Sequence, residues 1–205
     1  MSVRVKICGI TNAADAHAAI EAGADALGFM FFPSSPRNLT TSQAASIIRD
    51  LPPFIAKVGV FVDPTEGDVR RAIDDVGIDT LQFHGNESPD FCRRFHLKVI
   101  KAFRIRDEAS LQSLTNYPAE TWLLDAFVDG KLGGTGTRFN WALAGQAVAK
   151  GGRVILAGGL TPENVGEAVR QVRPFGLDVS SGVESAPGKK DAEKLRRFIT
   201  AARNG

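Results

Sequence analysis

Apolar residues along the chain fall into short, nearly continuous runs rather than alternating ones. The runs at Val3–Cys8, Asp25–Phe31, Ala56–Val62, Thr80–Phe83, Val99–Phe103, Trp122–Asp125, Arg153–Ala157 and Leu177–Val179 have the composition of strands buried on both faces. Between them apolar positions recur every three or four residues, with helix start and stop signals at the ends. Asn12 precedes AADAHAAIEAG, and Gly23 can supply the left-handed residue that ends a helix. Thr40 or Thr41 opens SQAASIIRDL, which Pro52-Pro53 stops. In TPENVGEAVRQV, Thr161 is placed to cap and Pro162 to take the first helical position. Asp191 to Ala202 reads as a last amphipathic helix.

Eight such strands alternating with about eight helices in ~200 residues predict a single (β/α)8 barrel domain over residues 1–205. An open doubly wound sheet is the rival. It usually carries a glycine-rich dinucleotide loop after its first strand, and CGITNAAD is not one. The chain has 205 residues, 43% hydrophobic and 23% charged, with a formal net charge of +2. That balance gives no basis for a nucleic-acid or membrane partner. There is no apolar run of ~20 residues and no secretion signal, so a cytoplasmic protein with reduced thiols is expected. Cys8 and Cys92 match no metal-ligand spacing, and no metal is expected.

In a barrel of this kind chemistry gathers at the C-terminal ends of the strands. Strand one ends at Cys8-Gly9, and Arg37 follows strand two in FPSSPR. Gln82 and His84 end strand four, Asp125 ends strand six, and glycine-rich LAGGL and DVSSGVES end strands seven and eight. Gly158, Gly159, Ser181 and Gly182 could let backbone N–H groups approach a phosphate, with a helix N-terminus behind them, or could simply make tight turns. Arg37, in a loop stiffened by Pro33 and Pro36, is either a carboxylate ligand or a surface charge.

Asp125 is either a cap or a general acid, the latter role requiring burial to lift its pKa. Asp129 is its rival, and GGTG at Gly133 to Gly136 looks like a flap over it. Cys8 is either a small buried hydrophobe or a thiol poised to ionise as a base. Gln82 and His84 read as supporting residues, Cys92 as inert packing, and His17 and His96 as structural or exposed. Lys6 lies upstream of its strand's end, and no role follows for it.

Taken in order, VKICGIT, GADALGFMFFPSSPR, VGVFVD, LQFHG, WLLD with GGTG, GGLTPENV and DVSSGVESAPGKKD resemble the phosphoribosylanthranilate isomerase family of tryptophan biosynthesis. The resemblance runs along nearly the whole chain. It implies a cofactor-free Amadori rearrangement of N-(5-phosphoribosyl)anthranilate to 1-(2-carboxyphenylamino)-1-deoxyribulose 5-phosphate. It also implies Cys8 as general base, Asp125 as general acid, Arg37 on the substrate carboxylate, and the last two glycine-rich loops on the phosphate. Another phosphosugar barrel enzyme such as an epimerase, or a non-catalytic phosphate-ligand sensor, would share the cradle. An epimerase would want metal ligands or paired aspartates at strand ends, and a sensor would need neither Cys8 nor Asp125. Phe54, Phe127 and Phe175 are core or interface residues, and monomer and homodimer both stay open.

Overall fold

The computed structural model describes residues 2–117, 121–126 and 141–205. Parallel strands β1 (Arg4–Cys8), β2 (Ala26–Met30), β3 (Ala56–Phe61), β4 (Thr80–Phe83), β5 (Lys98–Ile105), β6 (Thr121–Ala126), β7 (Arg153–Leu156) and β8 (Gly176–Val179) pair in chain order. They close into a barrel when β8 pairs with β1. Helices α1 (Ala13–Ala22), α2 (Thr41–Ile48), α3 (Glu66–Val76), α4 (Pro89–Cys92), α5 (Trp141–Ala149), α6 (Val165–Val172) and α7 (Ala192–Arg203) surround it. A two-stranded hairpin, β9 (Glu184–Ala186) with β10 (Lys189–Lys190), follows β8.

All eight strand runs are therefore present, with ends shifted by one or two residues. Asp25 stands just before β2, where its carboxylate accepts hydrogen bonds from the Val5 N–H and the Arg4 guanidinium. The Asn12 side chain caps α1 by accepting from the Asp15 N–H, and Gly23 ends it with φ of 102°. Thr40, not Thr41, caps α2, and the helix ends at Ile48, ahead of the two prolines.

Three helical expectations need correction. α6 begins at Val165, because the Asn164 carboxamide oxygen accepts from the Thr161 N–H and closes a turn over 161–164. Pro162 therefore sits in that turn and not inside the helix. After β4 there is only the short α4, where Phe91 and Phe95 fold back onto Phe83 with ring centroids 5.5 and 5.7 Å away. The segment after β5 is a 3-10 helix, Ala109–Asn116, whose first turn is drawn tight when Asp107 accepts from both the N–H and the hydroxyl of Ser110.

Strand side chains alternate between two cores. Outward residues such as Ile7, Leu27, Phe29, Leu81, Phe83 and Leu177 pack against the helices. Inward residues Val58, Val60, Ile100, Ala102, Leu123 and Ile155 fill the barrel around Cys8. Period-two counting thus places Lys6 below Cys8, Gln82 below His84, Leu123 below Asp125 and Asp178 below Ser180. The functional end of the barrel rests on this interior column.

Candidate active site

At the C-terminal ends of the strands a cavity of about 270 Å³ opens. Cys8, Arg37, Gln82, His84, Asp125, Gly158, Gly159, Ser181 and Gly182 all line it. The residues singled out as candidates from separate stretches of sequence are thus brought together at one site. Asp129 and Gly133 to Gly136 lie outside the described residues, as does Phe127. His17 and His96 are exposed, and Cys92 is buried with its thiol pushed up to about 11 by burial.

Asp125 is carried on β6, and only 7% of it is exposed. Its Oδ2 lies 3.3 Å from His84 Nε2, and His84 Nδ1 lies 3.0 Å from the Gln82 amide nitrogen. A carboxamide N–H donating to Nδ1 leaves the imidazole proton on Nε2, pointed at Asp125. Gln82, wholly buried on the inner face of β4, therefore sets the tautomer of the ring that meets the carboxylate.

Arg37 is not a free surface charge. Its Nε and Nη2 donate to the two carboxylate oxygens of Glu184 at 2.8 and 2.6 Å, and its side chain is 19% exposed. Its stem lies against Gly9, where a β-carbon would strike the Arg37 side chain and where φ is 75°. The glycine after the cysteine is required by both its conformation and the arginine that crosses it. The Glu184 fork raises the guanidinium pKa above its already high ordinary value.

Behind Glu184 lies Lys190. Its ammonium donates to Glu184 Oε1 at 2.8 Å, to the Cys8 carbonyl at 2.6 Å and to the Ser180 carbonyl at 3.2 Å. One buried cation thus joins β1, the end of β8 and the hairpin. Burial pulls the lysine below its ordinary value although Glu184 resists. Burial works upward on the Glu184 carboxyl, but Arg37 and Lys190 outweigh it and hold the group below the ordinary range.

Gly158 and Gly159 adopt left-handed backbone, with φ of 84° and 65°. Gly182 is pressed against the Leu160 carbonyl, so closely that no β-carbon fits. Only a glycine at 182 lets the two loops come this near each other, and all three glycines line the cavity. The helix N-terminus expected behind them is set back, because α6 starts at Val165 and β8 is followed by a three-residue 3-10 turn, Ser181–Val183.

Cys8 lies at the cavity floor, 6% exposed and unbridged. Burial pushes its thiol up, Lys6 pulls it down and Asp178 pushes it up again, with a net rise. The strand ends alone gave no role to Lys6 and Asp178, which lie beneath them inside the barrel, nor to Glu184 and Lys190, which sit on the hairpin after β8.

A family model for N-(5'-phosphoribosyl)anthranilate (PRA) isomerase matches residues 5–201. The chain belongs to this isomerase family. It is similar to the N-(5'-phosphoribosyl)anthranilate isomerase of Pelobacter propionicus, 54% identical over 201 residues, 98% of this chain and 96% of that one. Among solved structures it is similar to a phosphoribosylanthranilate isomerase in complex with reduced 1-(o-carboxyphenylamino)-1-deoxyribulose 5-phosphate. That likeness has a TM-score of 0.90 at 40% identity and covers 99% of this chain and 100% of the other. It is also similar to monomers generated from the dimeric isomerase of Thermotoga maritima, with a TM-score of 0.89 at 38% identity over 99% and 100% of the chains. The isomerase fold and enzyme class follow for the whole matched span. Among the described residues no helix is long and apolar enough to cross a membrane.

Proposed function

We propose that this single barrel domain isomerises N-(5-phosphoribosyl)anthranilate to its 1-deoxyribulose 5-phosphate product without a cofactor. The gathering of Cys8, Arg37, Asp125 and the paired glycine loops around one cavity is the observation that carries the reading. The substrate has an anion at each end. Gly158, Gly159, Ser181 and Gly182 offer backbone to its phosphate, and Arg37, braced by Glu184, meets its carboxylate.

Asp125 gives a proton to the ring oxygen as the bond from that oxygen to C1 breaks, and the nitrogen lone pair forms an iminium ion. The cation acidifies the hydrogen on C2. The Cys8 thiolate takes that proton, the C–H electron pair flows towards nitrogen, and an enolamine results. Tautomerisation gives the ketone. His84 holds the Asp125 carboxylate through this sequence. Cys8 acts through a proton and forms no covalent bond, and the cytoplasm is the compartment that keeps it a free thiol.

Anthranilate fluorescence, followed while the purified protein acts on phosphoribosylanthranilate made in situ, tests the reading. Turnover by the wild type with losses of about 10²–10⁴-fold in Cys8→Ala and in Asp125→Ala is the expected result. A folded wild type without turnover would overturn it.

For assembly we favour a homodimer formed at the opposite end of the barrel. There Phe54 is 99% exposed beside a cavity of about 650 Å³ lined by Val99, Leu97 and the half-exposed Phe175. A projecting ring and a hollow on one face are self-complementary under a two-fold axis. The dimeric state of the Thermotoga maritima relative supports this choice. Sedimentation should give twice the chain mass for the wild type and the chain mass for Phe54→Asp. A monomeric wild type at micromolar concentration would refute it.

A further inference from the structure

Among the described residues the barrel interior beneath Cys8 is mostly apolar, Gln82 being one polar exception and an ion pair another. Among Val58, Ile100, Leu123 and Ile155 sits a buried ion pair, Lys6 Nζ to Asp178 Oδ1 at 2.8 Å. As a device for stability such a pair is a poor choice, because desolvation cancels most of the attraction and aliphatic side chains would serve as well. Its position suggests another use. Lys6 and Cys8 are two residues apart on β1 and share its inner face. Gly28, paired with Cys8 across β1 and β2, is where they meet. A β-carbon on Gly28 would lie 2.9 Å from Cys8 Sγ and 2.9 Å from Lys6 Nζ, so the two atoms lie within about 6 Å of each other, the range in which an opposite charge acts strongly.

We infer that Lys6 is the residue that makes Cys8 a base: its ammonium, held beneath the thiol by Asp178, is the counter-ion of the Cys8 thiolate. Lys6 and Asp178 thus act on one proton with opposite sign. This role rests on Cys8 being the proton acceptor of the isomerisation. Burial and Asp178 both push the thiol up, and Lys6 is the main influence working against them. For Lys6 burial acts downward, but Asp178 and the thiol more than offset it and hold it above the ordinary lysine value. It therefore stays an ammonium and does not compete for the substrate proton. Among the described residues, Lys190 on the Cys8 carbonyl and Arg37 across Gly9 are further cations near the thiol, Glu184 engages both, and Arg104 lines the same cavity. Asp125 and His84 line the same cavity.

When the C2–H bond breaks, its proton goes to Sγ and its electron pair towards the iminium nitrogen. The thiolate and iminium charges cancel, and the Lys6–Asp178 pair is left as it was. Lys6 is a positioning residue, since it exchanges no proton with substrate.

Cys8 can be titrated without catalysis. In a Cys92→Ala background, the rate of iodoacetamide alkylation against pH reports the Cys8 thiolate. Lys6→Met should slow alkylation by about tenfold or more at a pH below the limb. It should also move the basic-form limb of kcat/KM to higher pH, and Lys6→Arg should largely restore both. Asp178→Asn should move both limbs to lower pH. Each single change strands a buried charge, so the double Lys6→Met/Asp178→Asn variant removes the whole pair. Its limb should still lie above that of the wild type, though less far than in Lys6→Met alone. Limbs that stay at the wild-type position, or that move the same way in Lys6→Met and Asp178→Asn, would overturn the inference; should the singles not fold, the double variant decides by the same criterion. Failure of the parent reading shows separately, as a folded wild type without turnover.

Discussion

Removing the Glu184 carboxylate tests whether it braces Arg37 for the proposed carboxylate contact. In Glu184→Ala, Arg37 loses both arms of its fork and Lys190 loses its carboxylate partner, while the Lys190 ammonium stays buried with only the Cys8 and Ser180 carbonyls as acceptors. Breaking a buried ion pair from one side costs about 3–5 kcal/mol, chiefly because a charge is left without a partner. For a chain of this length that is a fall in Tm of about 6–20 °C. The kinetic effect should be selective. Arg37 would still reach the cavity but without a fixed orientation, so KM should rise about tenfold to a hundredfold, equivalent to about 1.4–2.8 kcal/mol of carboxylate binding. Because Cys8 and Asp125 keep their places, kcat should stay within about threefold. Circular dichroism melting and steady-state fluorescence assays read the two effects. A Tm change below about 2 °C, or a fall in kcat at unchanged KM, would refute the bracing role.

The same carboxylate has a pH signature. Its folded pKa lies below the unfolded value, so its stabilisation is complete above the ordinary glutamate pKa of ~4.3 and is lost as pH falls through the folded value. The Tm gap between wild type and Glu184→Gln should hold constant from pH 7 to about 5 and narrow on further acidification, as differential scanning fluorimetry would show. Gly182→Ala places a methyl on the Leu160 carbonyl, and should cost about 1–3 kcal/mol and weaken competitive inhibition by inorganic phosphate. Unchanged phosphate inhibition would count against the cradle. Gln82→Leu removes the donor that fixes the His84 tautomer, and kcat should fall about ten- to a hundredfold while KM changes little. A wild-type kcat would count against the relay.

The strands were legible because a run such as Ala56–Val62 is apolar on both faces, which only a covered parallel sheet demands. Helix caps were legible where one side chain decides them, as Asn12 and Gly23 do. Less legible was α6, since Asn164 closes a turn that TPEN alone does not announce. The candidate site could be read from strand ends because the fold delivers those ends to one place. Its charged foundation could not be read that way. Lys6 and Asp178 are 172 residues apart and meet only when β8 pairs with β1. Counting back two from Cys8 and from Ser180 would have put both inside the barrel. Glu184 and Lys190 belong to a hairpin whose tight return, at Gly188 with φ of 78°, was overlooked in ESAPGKK.

The Lys190 ammonium bonded to the Cys8 carbonyl has a consequence for biosynthesis. The Cys8 carbonyl and the Lys190 ammonium that ties it are 182 residues apart, and Asp178, which completes the floor with Lys6, is likewise made long after β1. Earlier strands can pair with their neighbours as they appear, but closure spans almost the full sequence, and contacts of such long separation form late and slowly. A nascent chain halted before residue 178 has Cys8 and Lys6 on a strand whose outer edge is still open, without Asp178 and Lys190. The finished site is therefore assembled only once residue 190 is in place, and the unclosed edge is the window in which a chaperone would find the chain.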